Sequence, residues 1–195
     1  MTEPVIIRSI TPLARDWGRL DRYEVDHLRR DGTRQTVRRE VYDHGSAAAV
    51  LLFAPAERTL ILTRQFRLPA HLNGDPAWLI EAPAGLTDGE PPEIAARREA
   101  VEETGYAPEN LVFLFDAYMS PGSLTEKCAC FLGHYTPGRQ AANGGGLAEE
   151  GEDIEVFELG LDEALAMVAT GAISDAKTIM MLQALALRLA AGEEV

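Results

Sequence analysis

The sequence predicts an α+β protein in which a mixed β-sheet is covered by helices and an antiparallel sheet is added at the N-terminus. Two observations lead to this class: strand-like runs dominate the chain up to residue 85, and two helix-like segments close it. Elements in this order do not follow the regular strand-helix alternation of a parallel fold. We therefore expect a mixed sheet with helices packed against it.

The N-terminal region has the pattern of a β-hairpin. Two extended runs, 20–28 and 34–42, are joined around the dipeptide Asp31-Gly32, which favours a tight turn. This pattern predicts an antiparallel sheet. We expect that sheet to form a region of its own over 1–44, followed by the main domain over 45–195.

The main domain opens with strands and leads into one short helix. Runs 47–53 and 59–68 are apolar and β-like, and 77–85 reads as a further strand that ends in a loop. The proline pair at 91–92 suits the first turn of a helix, and Gly105 stands where a C-terminal cap is expected. A short helix between these two signals is predicted.

Three more strands and two helices complete the predicted order. The strands are expected at 111–119, 125–136 and 153–159, with a glycine-rich loop at 142–152, and the helices at 162–170 and 175–190.

Composition and charge exclude several classes of partner. The formal net charge of −13 repels nucleic acid backbones and anionic membrane surfaces, so neither is expected as a partner. The N-terminus lacks a signal-peptide pattern, and no apolar run approaches the roughly 20 residues of a membrane span. A cytoplasmic protein is expected.

Three glutamates crowd one face of the predicted helix. Glu99, Glu102 and Glu103 stand at i, i+3 and i+4, which brings their carboxylates within about one turn. Such crowding is unfavourable unless a cation compensates for it, and Mg²⁺ prefers carboxylate oxygens together with phosphates and water. On these three residues alone, a solvated acidic helix end explains the pattern equally well.

The wider segment resembles the Nudix signature at nine positions of fixed spacing. These are Gly85, Glu90, Arg98, Glu99, Ala100, Glu102, Glu103, Gly105 and Tyr106. One departure stands out, because the spacer between Gly85 and Glu90 holds four residues where the usual signature has five. The deletion lies ahead of the helix and leaves the spacing among its glutamates intact.

The resemblance implies a magnesium enzyme, with Mn²⁺ as the alternative cation. It assigns Glu99 and Glu103 as the main ligands, the carbonyl of Ala84 as a further ligand, and Glu102 as a ligand or as a residue that holds ligands in position. Arg98 is expected to pair with a helix carboxylate such as Glu90 and so to act structurally.

An acidic loop is expected to complete the catalytic set. By the same resemblance, Glu152 would be a metal ligand and Glu150 the general base, acting with Glu103. Three consecutive glycines before this loop would let it close over the substrate. The alternative is that the stretch is a solvated, disordered loop.

The resemblance extends over the whole chain to the branch that hydrolyses nucleotide sugars. Pro121 lies 16 residues after Gly105, where enzymes acting on ADP-ribose carry a proline. Five further segments resemble the members that hydrolyse GDP-mannose: "RREVYDHG", "RQFR", "YMSPGSLTE", "ANGGGLAEEGEDIEV" and "GAISDAKT". We expect GDP-mannose to yield GMP and mannose 1-phosphate. ADP-ribose, giving AMP and ribose 5-phosphate, is the alternative, and a domain that binds without catalysis is a remote one.

Arg38, Arg39 and Arg67 are candidates for contacting the diphosphate or the terminal sugar. The resemblance adds Glu126 and Lys177, which match positions that contact ligand in its GDP-mannose-hydrolysing members, and Trp17, which falls where an aromatic ring can stack on the base. A guanidinium grips phosphate oxygens through two parallel hydrogen bonds, and an indole can stack on a base. The alternatives are an ordinary strand-edge charge for Arg67, as for Arg64, and hydrophobic packing for Trp17. The resemblance also implies the Nudix fold, in which the mixed sheet is sandwiched between helices, and a homodimer formed through the N-terminal sheet.

Overall fold

The computed structural model describes residues 3–193, which form two compact units. The first unit contains the chain up to Ser46 together with Tyr118–Lys127, and the second contains Ala47–Ala117 and the chain from Cys128 onward. The chain therefore leaves the first unit after its N-terminal strands and returns to it once.

The first unit is built on a three-stranded antiparallel sheet. Its strands are β1 (Val5–Arg15), β2 (Arg19–Leu28) and β3 (Arg34–Asp43), in the order β1-β2-β3. The predicted hairpin is β2 and β3 and is confirmed. The sequence did not predict β1, whose alternation is broken by two register irregularities, between Ile7 and Ser9 and between Pro12 and Ala14.

The returning segment 118–127 adds to the first unit by backbone pairing with the end of β3. Tyr42 donates its N–H to the carbonyl of Ser123 at 2.8 Å, and Thr125 donates to the carbonyl of Tyr42 at 3.1 Å. These two bonds make a short parallel bridge, which fixes this segment against the N-terminal sheet.

The second unit is built on a mixed sheet, as predicted. In chain order its long strands are β4 (Ala47–Ala54), β5 (Thr59–Phe66), β8 (Leu111–Tyr118), β9 (Lys127–His134) and β10 (Glu155–Gly160), and their spatial order is β10-β5-β4-β9-β8. Strand β4 pairs antiparallel with β5 and parallel with β9. All residues of β4 are buried, so helices or loops cover both of its faces.

Two predicted strand boundaries are wrong in detail. The stretch 77–85 is two short strands, β6 (Trp78–Glu81) beside β5 and β7 (Ala84–Leu86) beside β4, because the chain crosses between partners at Pro83. The run 59–68 ends as a strand at Phe66, and a five-residue helix α1 (Leu68–Leu72) follows.

The remaining helices lie close to their predicted positions. They are α2 (Pro92–Glu99), α3 (Leu161–Thr170) and α4 (Ala176–Ala190). Both α2 and α4 contact β4, and buried alanines of α2 pack on it in the hydrophobic core. Within residues 3–193, none of the helices is long and apolar enough to cross a membrane.

Candidate active site

The signature helix α2 continues into a wider turn at its C-terminal end. Residues Ala100–Thr104 form one π turn, which ends where Gly105 takes a left-handed φ of 78°. The charge of Glu99 raises the pKa of Glu103, so these two carboxylates are neighbours. Glu102 shares one nitrogen of the Arg98 guanidinium with Glu99.

Glu103 is the most deeply buried carboxylate of this group. It is 1% exposed; Gln65 donates to its Oε1 at 3.5 Å, and its Oε2 is buried with no hydrogen-bond partner among the residues that the structure describes. Burial raises the pKa of Glu103 to about 8, and the charges of Glu99 and Glu152 add to the effect. An unpaired carboxylate oxygen at this depth is costly, and it is the kind of group that a cation satisfies.

Glu99 lies directly against Gly85, the first residue of the signature. A methyl group at Gly85 would fall 2.0 Å from the Oε1 atom of Glu99, so only glycine leaves room for this carboxylate. Burial raises the pKa of Glu99 to about 7, in spite of the neighbouring Arg98, which lowers it. Ala84, whose carbonyl was predicted as a ligand, directly precedes this glycine at the start of β7.

Arg98 organises the acidic helix, as predicted. It donates to Glu90 at 3.1 Å, to Glu99 at 2.8 Å and to Glu102 at 2.9 Å, and also to the carbonyl of Leu86 at 3.1 Å. The pairing with Glu90 is therefore confirmed. Glu102 faces this guanidinium, which fits the second of its two expected roles, holding ligands in position.

The short spacer closes as a tight turn between Leu86 and Glu90. Glu90 donates its N–H to the carbonyl of Thr87 at 2.7 Å, and Asp88 and Gly89 both take positive φ angles of 48° and 86°. Two positive φ angles in succession are characteristic of a type I′ turn, which suits an Asp-Gly pair. The one-residue deletion lies in this turn. Arg98 donates to Leu86 before the turn and to Glu90 at its end.

The glycine-rich loop reaches the same helix end. Gly145 donates to the carbonyl of Glu103 at 2.8 Å and Gly146 to the carbonyl of Glu102 at 3.0 Å. Glu152 is half-buried, and its Oε2 accepts from the N–H of Leu147 at 2.8 Å. The glycines that were expected to act as hinges are thus docked on the helix. The side chain of Glu150 lies outside the part of the chain that the structure describes.

The buried carboxylate of Glu81 binds two of the predicted cationic residues, Arg67 and Lys177. Glu81 is 2% exposed; Arg67 donates to both of its oxygens at 2.7 and 3.0 Å, and Lys177 donates to its Oε2. Burial alone raises the pKa of Glu81, but Lys177 and Arg67 outweigh it and lower the value to about 2. Both cations also lower the pKa of Glu103, so they lie within electrostatic reach of it.

Local structure explains why Lys177 stands over Glu81. Asp175 caps α4 by accepting from the N–H of Thr178 at 3.0 Å, and the Thr178 hydroxyl accepts from the N–H of Ala82 at 2.7 Å. The start of α4 is therefore pinned to the end of β6. Lys177 also pairs with Asp175 at 3.0 Å, which leaves its ammonium between two carboxylates.

The first unit contains the other predicted binding residues. Trp17 is 70% exposed, and one face of its indole stacks on His44 with ring centroids 5.0 Å apart. His44 also contacts Tyr42 at 5.5 Å, and its Nε2 lies 3.8 Å from Glu126. Trp17 is thus not packed into a core: one face is supported by other rings, and most of its surface is open.

Arg38 and Arg39 are exposed on β3. Arg38 donates to Glu24 at 2.9 Å, and Arg39 donates to the backbone carbonyl of Arg38 at 2.8 Å. Within residues 3–193, each guanidinium has donors that no protein acceptor uses and that could engage a further acceptor.

The donor set suits a divalent cation. Two neighbouring carboxylates, Glu99 and Glu103, have raised pKa values, and one of their oxygens is buried without a partner in the described part of the chain. Hard cations such as Mg²⁺ take oxygen ligands of this type. Across residues 3–193, no three His, Cys, Asp or Glu side chains already stand as a ready metal-ligating cluster.

Sequence reasoning missed three residues, two in the second unit and one in the first. Glu81, Gln65 and His44 gain their roles from contacts between distant segments, so no local pattern marks them. An isolated charge within the apolar run "AWLIEAPAG" was the one available signal for Glu81.

Comparison with known proteins defines the class. A family model described as the NUDIX domain matches residues 43–182, and a model described as the GDP-mannose pyrophosphatase NudK N-terminal domain matches residues 4–42. The chain belongs to the Nudix hydrolase family. The resemblance drawn from the signature is thereby confirmed.

The chain is also similar to individual named proteins. A protein from Pectobacterium atrosepticum named GDP-mannose pyrophosphatase is 47% identical over 184 residues, which cover 94% of each chain. A protein of the same name from Yersinia pestis is 45% identical over 172 residues, 88% of this chain and 86% of the relative. A crystal structure described as an ADP compounds hydrolase superposes with a TM-score of 0.73 over 100% of this chain and 99% of the other, and at 21% identity it shows the fold.

Proposed function

We propose that this protein is a divalent-cation-dependent pyrophosphatase that hydrolyses GDP-mannose to GMP and mannose 1-phosphate. The observation that carries the proposal is the buried carboxylate group of Glu99 and Glu103, with the cations Arg67 and Lys177 within electrostatic reach. Such a site suits a metal-bound diphosphate. The name shared by the two bacterial relatives supports the substrate.

Mg²⁺ is the proposed cation, with Mn²⁺ as the alternative. Glu99, Glu103, Glu152 and the carbonyl of Ala84 would hold it. When bound, the cation neutralises the charge of the diphosphate and lowers the pKa of the attacking water.

The other groups of the site align the reactants and move one proton. A water oxygen bonds to one phosphorus, and the bond from that phosphorus to the bridging oxygen breaks. Glu150 accepts the proton of the water. Arg67 and Lys177 donate to phosphate oxygens, and Glu81 holds both of them at the site.

Recognition of the nucleoside and the sugar is assigned to the first unit. The open surface of Trp17 offers a stacking face for guanine, and Arg38 and Arg39 carry free donors for the phosphate or sugar. Glu126 can accept a hydrogen bond from a sugar hydroxyl or a base edge.

A homodimer is proposed through the N-terminal sheet. Val5, Ile7 and Ile10 of β1 are each about half exposed, and the irregularity after Ile7 keeps all three on one face of the strand. A row of exposed apolar side chains on an edge strand favours pairing with a second chain.

Product identity tests the substrate proposal. GDP-mannose and ADP-ribose are incubated with equal enzyme, with Mg²⁺ or with chelator, and nucleoside monophosphate is separated by chromatography. We expect faster release of GMP, abolished by chelator. Faster release of AMP would move the protein to the ADP-ribose-hydrolysing branch, for which the position of Pro121 is the argument. Tight binding of either compound without product would favour a binding domain that lacks catalysis.

A further inference from the structure

The glycine-rich loop carries a structural feature that none of the roles assigned above explains. Its glycines 144–146 all take left-handed φ angles, of 69°, 99° and 81°. Gly144 packs so closely on the end of the π turn that a methyl group would fall 2.6 Å from the carbonyl carbon of Thr104. Backbone therefore lies against backbone, an approach that only glycine permits.

The same segment supplies hydrogen bonds that the helix end needs. The last carbonyls of a helix have no partner within it. Here the carbonyls of Glu102 and Glu103 accept from Gly146 and Gly145, and the carbonyl of Gly105 accepts from Ala141 at 2.7 Å. The loop thus acts as the C-terminal cap of the helix that carries the candidate ligands.

The cap also fixes Glu152. Leu147 donates to the Oε2 atom of Glu152 at 2.8 Å, and the N–H of Glu152 donates back to the carbonyl of Leu147 at 3.2 Å. A methyl group at Gly146 would lie 2.6 Å from that Oε2 and 2.8 Å from the Cβ atom of Glu152. The side chain of Glu152 therefore packs directly against the Cα atom of Gly146.

We propose that glycines 144–146 form a rigid clamp that locks Glu152 to the helix end of Glu103, so that motion of the acidic loop is confined to its tip at 148–151. Gly146 is then a positioning residue, acting through Glu152. The part of this inference that concerns cation binding rests on the proposed function, whereas the rigidity of the clamp does not.

Amide hydrogen exchange of the wild-type protein tests the clamp directly. We expect the amides of Gly145 and Gly146 to exchange at least about tenfold more slowly than that of Glu149 in the tip, because both are bonded to helix carbonyls. Equal exchange across 145–149 would show that the whole loop opens as one hinged lid, and it would overturn the proposal.

Cation affinity tests the positioning role. Gly146→Ala is compared with Gly138→Ala, where φ is similarly left-handed at 74° but a methyl group meets nothing within 4 Å. In calorimetric titrations with Mn²⁺, the cation affinity of Gly146→Ala should fall about ten- to hundredfold, whereas that of Gly138→Ala should change little. An equal effect of both variants would mean backbone strain alone and would overturn the role of Gly146.

The two parts of the test separate this inference from the proposed function. If the wild type binds no divalent cation, the proposed function fails, and the exchange measurement still decides the clamp. If the wild type binds cation and Gly146→Ala binds it equally well, the positioning role fails while the proposed function stands.

Discussion

Replacing Glu81 with glutamine should destabilise the protein more than any exposed charge replacement in the same sheet. The change keeps the shape of the side chain and removes the charge that Arg67 and Lys177 share. The pKa of Glu81 is lowered from 4.5 to about 2, and each unit corresponds to about 1.4 kcal/mol, so the charged form contributes about 3 kcal/mol. Loss of one partner from a buried ion pair costs a similar amount, about 3 to 5 kcal/mol.

The sign of the pH dependence follows from the direction of the shift. A carboxyl group whose pKa is lowered in the folded state stabilises the protein above its unfolded value of 4.5, and the contribution is lost as pH falls towards 2. The difference in unfolding free energy between wild type and Glu81→Gln should therefore be full at pH 7 and shrink as pH falls from about 4.5 towards 2.

Thermal unfolding measures this difference. Fluorescence of Trp78 in a Trp17→Phe background reports the second unit, because the protein has two tryptophans. At pH 7 we expect a loss of about 6 to 12 °C in melting temperature for Glu81→Gln. Glu155→Gln is the matched control, since Glu155 pairs with Arg64 at 2.6 Å but is largely exposed. Equal losses in the two variants, or a difference independent of pH, would refute the reasoning.

Three further outcomes are expected. Gly85→Ala should weaken Mn²⁺ binding by about ten- to hundredfold in calorimetry, while Gly122→Ala, where a methyl group meets open space, should not; equal affinities would contradict the close packing of the signature glycine. In chelator, thermal stability should fall as pH rises from 5 to 8, because burial raises the pKa of Glu103 to about 8 in the folded state, and Mg²⁺ should abolish the fall; a melting temperature independent of pH would contradict the shift. Ile7→Asp should give a monomer in sedimentation, whereas Ser9→Asp, off the apolar face, should leave a dimer; a monomeric wild type would rule out the proposed interface.

The parts of the fold that depend on local signals were predictable. The hairpin of β2 and β3 follows from an Asp-Gly turn between two extended runs. The helix formed by α2 and its π turn follows from prolines at its start and Gly105 at its end. The pairing of Arg98 with Glu90 was predictable for the same reason, since both residues belong to one short segment of fixed spacing.

Contacts between distant segments account for what was missed. Glu81 becomes a site residue because β6 pairs with β5 and the start of α4 docks on its end, and neither contact leaves a mark in the local sequence. The glycines at 144–146 read as flexible because glycine permits many conformations, but the structure uses them for close approach. The π turn after Glu99 has no sequence signal of its own, so its place at the end of the signature helix was not predicted.

The most direct test of the proposed chemistry compares Glu103→Gln with Glu163→Gln in the release of GMP from GDP-mannose with Mg²⁺. Glu103 is the buried carboxylate with an unpaired oxygen, and Glu163 is exposed on α3. We predict that Glu103→Gln loses about hundredfold or more of the wild-type rate, while Glu163→Gln keeps it. A Glu103→Gln variant that remains folded and releases GMP at the wild-type rate would contradict the assignment of the metal site and of the chemistry built on it.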